Sequence, residues 1–117
     1  MHTVVETPAY LHAAKDLRIS DDIRAWIVAA ISADPQLGAA MVGTGGCRKF
    51  RWSRDNKGKS GGLRIVSFYG GADLPVFLLT MFGKNERANL TKAEQHALAV
   101  FTRMLMDTYA AKKGTER

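Results

Sequence analysis

The chain has one cysteine, Cys47, so no disulfide can form within it and a stapled secreted scaffold is excluded. No apolar run approaches the eighteen or so residues of a membrane helix. The opening Met1–Glu6 lacks the basic-then-apolar pattern of a signal peptide. A lone thiol is at ease in a reducing compartment, and a cytoplasmic location is expected, with no membrane partner. There is no GxxxxGK[ST] phosphate loop, no HExxH and no CxxC. Gly43-Thr44-Gly45-Gly46 is glycine-rich, but it precedes a predicted strand and not a helix, so a dinucleotide site is unsupported. His2, His12 and His96 are spread over a terminus and two predicted helices, so neither a metal site nor a cofactor is expected. Cys47 has basic neighbours able to lower a thiol pKa, but no catalytic partner suggests itself. It reads as a small packing residue.

Acid is also in short supply. Seventeen basic residues face eleven acidic ones, a net charge of +6. Arg48 to Arg64 holds seven bases (Arg48, Lys49, Arg51, Arg54, Lys57, Lys59 and Arg64) against Asp55 alone. That segment carries the entire excess, and the other hundred residues hold ten charges of each sign. A positive field this concentrated points to a polyanionic partner, while a solvated basic loop is the plainer alternative.

At 117 residues, 46% hydrophobic and 24% charged, the chain is expected to form one folded domain over residues 1–117. Thr3 to Thr7 reads as a short strand. Pro8 suits a first helical turn, and Tyr10, Ala13, Ala14 and Leu17 follow at helical spacing. Ser20 is a good N-cap, with Asp21 and Asp22 at the positive end of the next helix dipole. Ile23, Trp26, Ile27, Ala30 and Ile31 make one apolar stripe, which Pro35 ends after about Ala33. Gln36 to Gly46 reads as a connection. Cys47 to Trp52 alternates as a strand, with Arg48, Phe50 and Trp52 on one side and Lys49 and Arg51 on the other. Arg54 to Gly62 is a basic loop, Leu63 to Tyr69 a strand, Gly70 to Pro75 a turn, and Val76 to Phe82 an apolar central strand. Thr91 and Glu94 form a capping box, and Leu98, Phe101, Leu105 and Tyr109 a helical stripe towards Ala111, before a frayed tail from Lys112. The expected fold is α+β: a small antiparallel sheet, built of one N-terminal strand and a three-stranded meander. Two N-terminal helices and one C-terminal helix pack against it.

Two strands joined by a basic loop can bring Lys57, Lys59 and Arg64 together with Arg48, Lys49, Arg51 and Arg54. Such a cluster binds phosphate at the least. Cleavage of RNA asks more, although RNA carries its own nucleophile in the 2′-OH. A lysine serves as base only when its pKa falls. A cation about 6 Å away at an effective dielectric of about 20 contributes at most roughly 2.8 kcal/mol, or about two pKa units. Arginine stays charged and stabilises a phosphorane-like transition state. At the end of the last strand, Lys84 and Asn85 reach the sheet rim, and Phe82 either stacks on a base or packs in the core.

Three runs then make a family resemblance: Gly43 to Arg51, Lys57 to Ile65, and Leu78 to Glu86. Their residues and the order of elements resemble the RelE superfamily of bacterial toxins, closest to its HigB-like branch. The resemblance implies the toxin of a type II toxin–antitoxin pair that enters the ribosome and cuts mRNA without a metal. It implies catalytic roles for Lys57, Lys59 and Arg64, with Lys84 assisting. Arg48, Lys49, Arg51, Arg54, Phe82 and Asn85 would then hold RNA. Asn85 stands where some relatives carry arginine, and Leu90 and Thr91 stand where some carry tyrosine. The implied partners are a small antitoxin with a helix-turn-helix domain, the ribosome and mRNA. Two rivals stay open: a ParE-like toxin acting on DNA gyrase, and a non-catalytic RNA-binding module.

Overall fold

The computed structural model describes residues 1–53, 62–83 and 90–115, with side chains to residue 109. Its elements in chain order are β1 (Val4–Glu6), α1 (Pro8–Asp16), α2 (Asp21–Ala33), β2 (Ala39–Ala40), β3 (Cys47–Trp52), β4 (Leu63–Tyr69), β5 (Val76–Gly83) and α3 (Lys92–Thr115). The strands form one sheet in the order β1-β5-β4-β3-β2.

The α+β class and the β3–β4–β5 meander agree with the sequence pattern, and two details differ. The sheet is mixed, because β1 runs parallel to β5 while the other pairs are antiparallel. A three-residue strand carries no directional signal of its own. It also has a fifth strand, β2, inside the expected connection, where Ala39 and Ala40 pair with Lys49 and Arg48. Two alanines make no period for a pattern to reveal.

Local chemistry sets the helix ends. Thr7 caps α1 by accepting from Tyr10 N–H, and its hydroxyl donates to Leu78 O at 2.8 Å. One buried side chain therefore ties α1 to β5. Ser20 accepts from Ile23 N–H, with Asp21 and Asp22 in the first turn of α2. The capping box of α3 is reciprocal: Thr91 N–H donates to Glu94 Oε1 at 2.8 Å and Glu94 N–H to Thr91 Oγ1 at 3.1 Å. The backbone of α3 stays helical to Thr115, past the expected end at Ala111.

The sheet has two covered faces. On one face, Tyr10 of α1 and Ile27 and Ile31 of α2 share a core with Phe50, Leu63, Ile65, Val76, Leu78 and Met81 of the sheet. Trp26 stands at the margin of the α2 stripe and is 46% exposed. The opposite face buries Cys47, Val66, Phe68, Phe77, Leu79, Phe82 and Leu90, covered by Leu98, Leu105 and Tyr109 of α3. The Tyr109 ring meets Phe77 edge-on at 5.8 Å. Phe101 turns outward instead, 37% exposed. The α3 helix also presses on the turn before β3. Thr102 Oγ1 donates to Thr44 O, and a Cβ at Gly45 (φ +75°) would stand 2.5 Å from that hydroxyl.

A bulge decides which β5 side chain faces which layer. Val66 pairs with Thr80, but Ser67 pairs with Leu78, so Leu79 is an extra residue on β5. The insertion flips the parity of the strand. Leu78 and Met81 both reach the first core, and Phe82 reaches the second.

Two outcomes follow from this burial. Thr7→Val is expected to cost about 1–2 kcal/mol in urea unfolding, since it removes the cap and the bond to Leu78 together. Burial pushes the Cys47 thiol from 9.0 up to about 11, against a smaller opposing effect of the Thr44 hydrogen bond. The folded thiol should resist alkylation at pH 8 and react once the chain is unfolded. The unfolded chain releases this proton near pH 9 and the folded chain holds it to about 11. Stability should therefore fall as pH rises through that window, by at most about 1.4 kcal/mol per unit, and Cys47→Ala should remove this part of the slope.

Candidate functional site

Register brings the cations together. Arg51 of β3 stands directly opposite Arg64 of β4, and Arg64 opposite Phe82 of β5. Facing Cα atoms in such ladders lie about 4.5–5.5 Å apart. The neighbouring row on the same face is Lys49, Val66 and Thr80. Lys49 and Arg51, two residues apart along β3, are separated by about 6.8 Å. Lys49 and Arg64 are diagonal neighbours at about 7–8 Å. The three cations share the face of the second core, where Arg51 is exposed and Lys49 and Arg64 are half-buried.

Like charges directly opposite one another destabilise a sheet. Among the described residues, the ion pairs are Arg24 with Glu6, Arg24 with Asp21, and His12 with Asp16. None of them neutralises Arg51 or Arg64. Two guanidinium groups, each presenting a planar fork of donors, are thus available to one oxyanion.

The other expected site residues divide into three groups. Arg48 alternates to the opposite face and donates through Nη2 to Gly38 O at 2.9 Å, so it does not join Lys49 and Arg51. Phe82 is 3% exposed and belongs to the second core, which leaves no ring face for a base. Arg54, Lys57, Lys59, Lys84 and Asn85 lie outside the described residues. The strands that lead to them end in the row Trp52, Leu63 and Gly83, next to the arginine row. In the sequence, Lys49 and Arg51 stand as accessories to a lysine loop. Their alternation with Phe50 was the available signal, and the pairing with Arg64 is what gives it weight.

On the same side of the sheet, a groove of about 450 Å³ runs between the start of α1 and α3, lined by Pro8, Ala9, Leu79, Leu90 and Phe101 among others. Among the described residues that line it, the charged one is Glu94.

Comparison with known proteins agrees with this architecture. A family model described as the RelE toxin of the RelE/RelB toxin–antitoxin system matches residues 3–113. Among solved structures, a double mutant of E. coli toxin RelE in the free state is similar, with a TM-score of 0.52 and 16% identity. The match covers 86% of this chain and 96% of that one. At this identity the likeness is one of fold. The family match spans nearly the whole chain, and the protein belongs to the RelE toxin family.

Proposed function

We propose that the protein is a ribosome-dependent endoribonuclease, the toxin of a toxin–antitoxin pair, acting on mRNA in the cytoplasm. The observation that supports this reading is the opposed pair Arg51 and Arg64 with Lys49 on the same face. In the proposed reaction the 2′-oxygen of a ribose attacks the adjoining phosphorus and the bond to the 5′-oxygen breaks. The products are a 2′,3′-cyclic phosphate and a 5′-OH. Arg64, with Arg51 beside it, stabilises the charge that gathers on the phosphoryl oxygens. A lysine takes the 2′-OH proton. Lys57 and Lys59 are the candidates from the sequence, and Lys49 joins them from its place next to both arginines. A protonated lysine, with Lys84 as candidate, gives a proton to the leaving 5′-oxygen. RNA brings its own nucleophile, so the scheme calls for no metal. The partner would be a small antitoxin, one with a helix-turn-helix domain being the expected kind.

The test is cleavage of message on programmed ribosomes, read by primer extension. The parent protein should give discrete cuts. Arg64→Ala should lower the single-turnover rate by about a hundredfold or more with an unchanged unfolding midpoint. Equal cutting by both would remove Arg64 from the reaction. Salt-sensitive ribosome binding with intact message would favour the non-catalytic module, and inhibition of DNA gyrase would favour the ParE-like rival.

A further inference from the structure

We infer that Arg48 is a positioning residue, which clamps the sheet edge behind Lys49 and Arg51 and makes no contact with phosphate. The inference rests on the reading of the Lys49, Arg51 and Arg64 face as the RNA site. Arg48 belongs to the basic run by sequence, yet strand alternation turns it to the far side of β3. There its Nη2 donates to Gly38 O at 2.9 Å, and its Nε is buried. Its cross-strand neighbour Ser67 is fully buried. Swinging this guanidinium round to the other face would break the bond to Gly38 and cross the sheet itself.

Gly38 supplies the other half of the clamp. Its φ is +101°, and a Cβ there would sit 2.4 Å from the carbonyl oxygen of Lys49. The Gly38 backbone therefore rests directly on the peptide that follows the Lys49 side chain. From this seat the chain enters β2, whose Ala39 and Ala40 pair with Lys49 and Arg48, and Met41 N–H closes the pairing on Cys47 O at 2.9 Å. Two strand residues alone make a weak edge. With the side-chain bond and the glycine contact, β2 holds the outer edge of β3 at the residues whose side chains form the cationic face. A displacement of about 1 Å in a reacting group can lower a rate about a hundredfold, so this edge is a lever on catalysis without touching substrate.

Charge and geometry are separated by two variants. Arg48→Ala should leave the salt dependence of binding to a short single-stranded RNA unchanged, whereas Arg51→Ala should flatten its logarithmic slope by about 0.7. Arg48→Lys keeps the charge but loses the planar fork. It should bind RNA within twofold of the parent, cleave at saturation at least about tenfold more slowly, and exchange the Met41 amide proton faster. A slope lowered by Arg48→Ala as by Arg51→Ala would make Arg48 a phosphate ligand and overturn the inference. So would an Arg48→Lys protein with parental cleavage and parental Met41 exchange. If Arg48→Ala does not fold, Arg48→Gln carries the slope measurement. Should the parent cut no RNA, the functional reading fails by itself. Met41 exchange in Arg48→Lys then decides the clamp, faster exchange upholding it and parental exchange refuting it.

Discussion

The register of β3, β4 and β5 is the constraint on which the site depends. On one face it lines up Phe50, Ile65 and Met81, all buried against α1 and α2. On the other face it sets Arg51 opposite Arg64. The arrangement is favourable because the two effects differ in size. Repulsion between two cations near the surface amounts to about 1–4 kcal/mol at the dielectric of water or of a protein boundary. A slip of one residue would turn Arg51 and Arg64 towards the helices and bring Phe50 and Ile65 out. Each buried, unpaired charge would cost several kcal/mol, and each lost apolar side chain about 1.5–3 more. Burial on one side thus holds like charges together on the other, and an oxyanion placed between them would relieve the repulsion.

The bulge at Leu79 serves the same end from the third strand. Without the extra residue, Met81 would face α3 and Phe82 the helices α1 and α2. With it, Phe82 fills the second core below Leu90, beside the position where Arg64 emerges. The core under α3 and the cationic patch are consequently two halves of one face. Apolar rings support it where α3 lies, and charge occupies it near the ends of β3 and β4. The close approach of Gly45 to Thr102 couples the seat of α3 to the turn that opens β3.

Family membership and geometry bear on different questions. The first says what kind of protein this is, and at 16% identity the structural likeness adds the fold. Neither assigns a role to a particular side chain here. The case for phosphate chemistry at Arg51 and Arg64 rests on two forks of donors set opposite one another by the register and unneutralised among the described residues.

Much of the molecule was legible in the order of residues. The stripe of Ile23, Ile27 and Ile31, the cap at Ser20, the Thr91–Glu94 box and the alternation of β3 are local patterns. Local patterns follow from backbone periodicity and nearby hydrogen bonds, which neighbouring residues settle among themselves. The concentration of charge between Arg48 and Arg64 is a matter of counting and needs no fold. Folding in three dimensions decided the rest: the direction of β1, the pairing of two alanines as β2, the parity change at Leu79, the burial of Phe82, and the bond from Arg48 to Gly38 O. Each of these depends on a partner distant along the chain or on the packing of a whole layer. Such contacts are selected by the free energy of the complete core, and no window of sequence contains them.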